Sequence, residues 1–305
     1  MIKKLFLLTT LVLIVVLVSI YIYKRQNAST DLHKMQISAS FYPYYFFANQ
    51  IGGNKVNVIN ITPPGGEPHD YEPSSGDIVQ IDSSKLLILN GNVESWGAKI
   101  QEDLKEKSTK VLIAGNGLFT QKVIDEDGIN SIDPHIWLSP RLAKIQVNEI
   151  FNTLNQIDPT NKSYYTTNAN KLLNDLDNLD KDYKTGLKSC QKKDIITSHA
   201  AFGYLATDYG LTQVPIAGLS PDAEPSLKQL AQIANFAKAN NVKYIFFESL
   251  ASPKLSQTIA SEIGAKTLVL DPLEGLTPDA LAKGEDYLTV MHDNLHNLEI
   301  ALECN

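Results

Sequence analysis

Short apolar runs alternate with longer mixed segments in the first half of the chain. The runs at 56–61, 85–89 and 110–114 are of strand length and rich in Val, Ile and Leu. The segments between them carry apolar residues at helical spacing, and glycines or prolines separate the two kinds of segment. Strands that alternate with helices favour a parallel sheet. The pattern therefore predicts an α/β lobe over residues 32–160.

The same alternation returns in the second half. Residues 194–197, 242–247 and 266–270 have strand composition, and amphipathic segments of helical length follow each of them. We expect the last of these, residues 278–302, to form one final helix. The pattern predicts a second α/β lobe over residues 189–305.

A different pattern separates the two halves. Between residues 164 and 187 the apolar positions recur in steps of three or four, with Asn, Asp and Lys between them. This is one amphipathic helix, near 35 Å long at about 1.5 Å per residue. An ordinary surface helix shows the same pattern, but the position between two lobes favours a rigid connector over residues 161–188. The predicted fold is thus α/β, with two doubly wound parallel-sheet lobes joined by one long helix.

The chain starts with a 19-residue apolar run, residues 5–23, between Lys3-Lys4 and Lys24-Arg25. A run of this length just crosses a hydrocarbon core of about 30 Å. A cleaved signal peptide has a shorter apolar region that ends in small residues, and no such ending is evident. We expect residues 1–31 to be an uncleaved membrane anchor and tether, with a cleaved signal as the alternative. The remainder of the chain then lies outside the cytoplasm.

The charge balance bears on the choice of partner. Without the four basic residues that flank the apolar run, 23 Lys and Arg face 34 Asp and Glu, a net charge of −11. No basic run exists outside those flanks, which argues against nucleic acid as a partner. An acidic surface tolerates a cationic ligand, although acidity alone usually serves solubility.

Four side chains with metal-ligand chemistry follow predicted strands or stand on proline-bounded turns. They are His69, His135, His199 and Asp271, separated by 66, 64 and 72 residues. Because the carboxyl ends of the strands in doubly wound lobes face a crevice, two lobes that close on each other bring such residues together. Three imidazoles and one carboxylate suit four-coordinate Zn²⁺.

These residues belong to a series of motifs with a fixed order. The series resembles that of the zinc- and manganese-binding solute-binding proteins of ABC importers, and it runs from about Met35 to Asn305. The motifs are EPHDYEP at 67–73, NG at 90–91 with ESW at 94–96, DPHIWLSP at 133–140, SHAAFGY at 198–204, and LDP at 270–272 with Gly275.

The resemblance implies a function. A protein of this family captures a metal ion in the cleft between its lobes and delivers it to a membrane permease, so we expect a monomeric binding protein rather than an enzyme. In the family, manganese-type members carry Glu where His199 stands, so the resemblance implies zinc. Nitrogen ligands also favour zinc over manganese. A manganese- or iron-binding member of the same family is the alternative.

The fourth ligand has competitors. Asp271 precedes Pro272 and is also suited to cap the following turn. Glu67, two residues before His69, is the substitute ligand, and Glu248, at the end of a predicted strand, is a candidate partner of a ligand. His292 and His296 are four residues apart on the last predicted helix, and a solvated pair is the expected state there.

The chain contains two cysteines, Cys190 and Cys304. Outside the cytoplasm an isolated pair favours a disulfide over a metal site. Some zinc-binding relatives have a disulfide in the second lobe, and Cys304 stands where one partner is expected, whereas Cys190 is displaced from the usual place of the other. Two free buried thiols are the alternative.

A zinc-dependent hydrolase is the competing function from another class. A catalytic zinc keeps three protein ligands and an open position for water, and four protein ligands close that position. The HExxH signature of zinc peptidases is absent from the sequence. Adhesion, a third function, has no sequence signature.

Overall fold

The computed structural model describes residues 34–124, 130–223 and 225–305. The first lobe is built on a four-stranded parallel sheet whose strands are ordered β2-β1-β3-β4. Ile37 of the central strand aligns with Val58 on one side and Leu86 on the other, so all four carboxyl ends meet at one edge of the sheet. The strands are β1 (Met35–Ala39), β2 (Val56–Asn60), β3 (Leu86–Leu89) and β4 (Lys110–Ile113).

Four helices accompany this sheet: α1 (Tyr42–Gly52), α2 (Ser75–Ser83), α3 (Gly97–Asp103) and α4 (Pro140–Ile157). An antiparallel hairpin of β5 (Lys122–Ile124) and β6 (Asn130–Ile132) lies between β4 and α4. The sequence pattern did not predict this hairpin, because strands of three residues are too short to show a period.

The long helix α5 (Lys162–Gly186) joins the two halves as predicted. Its apolar positions form one buried face, which includes Tyr165, Leu172, Leu176 and Tyr183. This face packs against α1 and α4 of the first lobe and against the last helix of the chain. The helix is therefore part of the core of both halves.

The second lobe contains four strands and three helices before the final helices: β7 (Asp194–Thr197), α6 (Gly203–Tyr209), β8 (Thr212–Pro215), α7 (Leu227–Ala239), β9 (Tyr244–Phe247), α8 (Lys254–Ile263) and β10 (Lys266–Val269). The strands form two parallel pairs, β7 with β8 and β9 with β10, and β7 lies beside β9. Strand β8 was not predicted, because it ends in Pro215 and has little apolar content.

The prediction of a single final helix over residues 278–302 is wrong. The structure has two helices there, α9 (Pro278–Ala282) and α10 (Tyr287–Ala301). Gly284 between them has φ 80°, a left-handed conformation that interrupts a helix and suits glycine. Asp286 then begins α10 with a capping box, since its carboxylate accepts the N–H of Thr289.

The disulfide joins Cys190, just before β7, to Cys304 at the end of the chain. It closes a loop with a sequence separation of 114 residues, which contains almost the whole second lobe. The two cysteines also form an isolated antiparallel bridge through their backbones.

The predicted α/β class, the parallel sheets and the long helix are confirmed. The lobe limits 32–160, 161–188 and 189–305 stay predictions. The predicted anchor and tether, residues 1–31, lie outside the described residues. Within the described part of the chain, each helix is too short or too polar to span a bilayer.

Candidate metal centre

His69 lies on the loop between β2 and α2, at the carboxyl edge of the first sheet. The loop is anchored to the second lobe, since the N–H of Gly65 donates to the carbonyl of Leu276 at 3.0 Å. Gly65 has φ 81°, so the turn requires the left-handed freedom of glycine. The His69 side chain is 11% exposed, and its own N–H donates to Oε1 of Glu67 at 3.1 Å.

His135 follows β6 and stands just before a short 3-10 turn, Ile136–Leu138. It is fully buried. Oδ1 of Asp133 lies 2.8 Å from its Nδ1 and also accepts its backbone N–H at 2.9 Å. The carboxylate therefore fixes the ring and leaves Nε2 as the free nitrogen of a neutral imidazole.

His199 follows β7 in the second lobe and is also fully buried. Its Nδ1 lies 2.7 Å from Oε1 of Glu248, which directly follows β9. The Glu248 carboxylate thus contacts the His199 ring as the Asp133 carboxylate contacts the His135 ring. The Nε2 atoms of His135 and His199 approach to 3.3 Å.

The acidic member of the cluster is Glu274, where Asp271 was expected. Oε1 of Glu274 lies 3.1 Å from Nε2 of both His69 and His135, and 3.4 Å from Nε2 of His199. These four side chains are the set in the described residues whose ligand atoms lie within 4.8 Å of one another.

The structure therefore corrects the fourth position from Asp271 to Glu274. Oδ1 of Asp271 accepts the N–H of Leu273 at 2.7 Å, so its carboxylate caps the turn after β10. Leu273, between the two carboxylates, has φ 55°, a left-handed conformation, and Glu274 after it contacts the histidines. Glu67 is likewise outside the set of four. The signal in the sequence was a second carboxylate in the same turn, next to Gly275.

The distances between the four ligand atoms have a simple explanation. The Nε2 atoms of His69 and His135 are 3.3 Å apart, and five of the six pairs of ligand atoms lie 3.1–3.4 Å apart. The sixth pair, the ligand nitrogens of His69 and His199, lies within 4.8 Å. A tetrahedron with bonds of about 2.0–2.1 Å to zinc has edges of about 3.3 Å. Unprotonated nitrogens and a carboxylate oxygen repel one another at this distance unless a proton or a cation lies between them. The arrangement is that of a cation site.

The ionisation of the metal-free centre follows from the same contacts. Burial lowers the pKa of His199, but Glu248 and Glu274 outweigh burial and raise the pKa well above its usual value. The pKa of His135 is also raised, because Asp133 and Glu274 outweigh burial. Burial raises the pKa of Glu274, yet His199 and His135 bring it well below its ordinary value. A cation must therefore displace protons from the imidazoles.

Two further carboxyl groups near the centre behave differently. Burial, followed by the charge of Glu274, raises the pKa of Glu67 to about 9. Burial also raises the pKa of Asp271 to about 6, although hydrogen bonds from Ser249 and Leu273 oppose the shift. At neutral pH in the metal-free chain, the Glu67 carboxyl is therefore protonated, whereas the Asp271 carboxyl is mostly ionised.

Comparison with known proteins gives a consistent result. A family described as zinc-uptake complex component A, periplasmic, matches residues 37–301. The high-affinity zinc uptake system protein ZnuA of Bacillus subtilis is 40% identical over 287 residues, which cover 90% of each chain. The zinc-binding protein AdcA of Streptococcus pyogenes is 37% identical over 290 residues, which cover 88% of this chain and 56% of AdcA. The present chain thus spans about half of AdcA.

The fold also matches a solved structure. The crystal structure of the Zn(II)-bound ZnuA-like domain of Streptococcus pneumoniae AdcA superimposes with a TM-score of 0.78. It is 39% identical in sequence, and the match covers 88% of this chain and 99% of that domain.

Proposed function

Because the chain belongs to the family of zinc-uptake complex component A proteins, we propose that it captures Zn²⁺ between its lobes and delivers the ion to the permease of an ABC importer. The ligands are His69, His135, His199 and Glu274. Zinc is the cargo of this protein, and no covalent chemistry is required of the side chains that hold it.

The observation that carries this proposal is the cluster of three Nε2 atoms and one carboxylate oxygen, in which five of the six pairs of atoms lie 3.1–3.4 Å apart. Imidazole nitrogens suit zinc, whereas manganese prefers a larger number of oxygen ligands. The orienting carboxylates of Asp133 and Glu248 raise the basicity of their imidazoles, which strengthens their bonds to a metal.

The same ligand count argues against hydrolysis. A catalytic zinc has an open position for water, and three protein ligands leave it free. Here four side chains converge, and three of them are at least 99% buried. The centre is built to hold and release an ion, so we assign the chain a binding role and no enzymatic one.

The cellular arrangement is part of the proposal. The apolar run at 5–23 serves as an uncleaved anchor, and the lobes lie outside the cytoplasm as a monomer beside the permease. The disulfide between the two cysteines is consistent with an extracytoplasmic location.

The test is zinc binding by competition with a chromophoric chelator at neutral pH. We expect one zinc ion per full-length chain, and manganese should not displace it at equal concentration. Because a four-ligand zinc site is worth about 10–16 kcal/mol, loss of one ligand in His69→Ala should weaken affinity by about 100-fold. His292→Ala is the matched control, since this histidine is 51% exposed on α10. A wild-type chain that binds no zinc would remove the proposal.

A further inference from the structure

The hydroxyl of Tyr204 is one of the points at which the two lobes contact each other. Tyr204 stands on α6 in the second lobe, and its side chain is buried at the base of the β5–β6 hairpin in the first. Its oxygen accepts the backbone N–H groups of Thr120 and Gln121 at 3.0 and 3.1 Å. It donates in turn to the backbone carbonyl of Asp133 at 3.1 Å. One oxygen thus makes three hydrogen bonds to the other lobe.

The residue before it contacts the same aspartate. A β-carbon added to Gly203 would lie 2.6 Å from Oδ2 of Asp133, closer than real β-carbons approach. This oxygen is buried and accepts no hydrogen bond from the described residues. The missing side chain of Gly203 therefore makes room for the Asp133 carboxylate. The Tyr204 hydroxyl donates to the backbone carbonyl of the same aspartate.

Asp133 is the residue that orients His135. Its other oxygen, Oδ1, receives both the ring Nδ1 and the backbone N–H of His135. A shift of Asp133 therefore moves Nε2 of His135 relative to the other three ligand atoms. Gly203 and Tyr204 follow His199 by only four and five residues, so the segment that carries one ligand also holds the support of another.

We propose that Gly203 and Tyr204 are positioning residues for the metal centre, which set the His135 ring through Asp133 and make its geometry depend on how the lobes meet. This inference rests on the proposed zinc-binding function. It assigns to the SHAAFGY motif a second role besides supplying His199. The cation is bound well when the Tyr204 hydroxyl is in place and poorly when it is lost.

The test is zinc affinity of the full-length Tyr204→Phe variant, which retains the ring and lacks the hydroxyl. Partners of metal-binding histidines contribute about 10–100-fold to affinity, and we expect a loss of about tenfold for this more distant group. Tyr209→Phe is the matched control. Tyr209 is on the same helix, and its hydroxyl donates to Asp180 at 3.0 Å, away from the centre. The zinc affinity of the Tyr209→Phe variant should equal that of the wild type.

A double-mutant cycle distinguishes positioning from general destabilisation. If Tyr204 acts through the Asp133 carboxylate, the losses of affinity in Tyr204→Phe and Asp133→Ala, which removes that carboxylate, should not add in the double variant. Additive losses, or an unchanged affinity in Tyr204→Phe beside a zinc-binding wild type, would overturn the inference and leave the proposed function intact. A wild type without zinc affinity would overturn the function itself.

A measurement on the unmutated chain covers the case in which Tyr204→Phe does not fold. Coupling between two sites is reciprocal, so zinc should strengthen the Tyr204 hydrogen bonds by the factor with which they strengthen zinc binding. Hydrogen exchange at the amides of Thr120 and Gln121 should therefore slow by about tenfold on zinc loading. Equal exchange rates with and without zinc would contradict the inference.

Discussion

Single side chains decide the ligand set, and Glu274 is the clearest instance. Asp271 and Glu274 lie in the same turn after β10, and both are buried. Their carboxylates have different contacts. The Asp271 carboxylate accepts the backbone N–H of Leu273, whereas the Glu274 carboxylate contacts three imidazole nitrogens. Residue type alone does not separate them, because either carboxylate is a suitable zinc ligand.

We expect the two acidic residues to respond differently to amide substitution. Glu274→Gln replaces an anionic ligand oxygen by a neutral one and should lower zinc affinity by about 100-fold, since one of four ligands is weakened. Asp271→Asn keeps an oxygen that can accept the N–H of Leu273 and should change affinity by less than about fivefold. Competition titrations of both variants make the comparison. A greater loss in Asp271→Asn would restore Asp271 as the ligand.

The raised pKa values of His135 and His199 give a pH dependence with a definite sign. In the metal-free chain the protonated imidazoles beside their carboxylates stabilise the fold at low pH, and this stabilisation is lost as the pH rises through the raised pKa values. Zinc competes with those protons. The increase in Tm on addition of zinc should therefore grow from pH 6 to pH 8. Thermal unfolding with and without zinc at several pH values tests this prediction. A zinc-induced increase in Tm that becomes smaller as the pH rises would contradict the prediction.

At the scale of helices and strands, the sequence pattern predicted the long helix and the apolar strands, and it missed the three-residue strands β5 and β6 and the less apolar strand β8. The apolar stripe of α5 was evident in the sequence because 25 residues give several turns of a constant pattern. The break between α9 and α10 was missed, although residues 283–286, Lys-Gly-Glu-Asp, contain no apolar side chain. The turn that separates Asp271 from Glu274 also escaped prediction, because it depends on the left-handed backbone of Leu273. Leucine rarely adopts a left-handed conformation, so the sequence does not indicate one at this position.

The buried face of α5 should carry much of the stability of the fold. Leu176→Ala leaves a cavity at a fully buried position and should lower the free energy of unfolding by about 2–5 kcal/mol. Asn174→Ala, on the exposed face of the same helix, should change it by less than about 0.5 kcal/mol. Urea denaturation of the two variants measures both. Similar values for the pair would mean that α5 is not part of the core.

For the molecule as a whole, the second lobe is held together by the covalent bond between Cys190 and Cys304. A loop of this length has a large closure entropy in the unfolded chain, so the disulfide should stabilise the fold by about 2–5 kcal/mol. The double variant Cys190→Ser/Cys304→Ser should therefore unfold at lower temperature. Its zinc affinity at 25 °C should stay within about threefold of the wild type, because neither cysteine contacts a ligand among the described residues. A large loss of affinity would show that the bond shapes the centre as well.

The shared burial of α5 also restricts how the ion can enter and leave. Helices of both halves pack against the buried face of α5. If the halves separated widely, the apolar side chains of this face would be exposed to water, at a free-energy cost of about 1.5–3 kcal/mol for each large side chain. We therefore expect the ion to enter and leave through movement of the short turns that carry the ligands, while the helices around them keep their places.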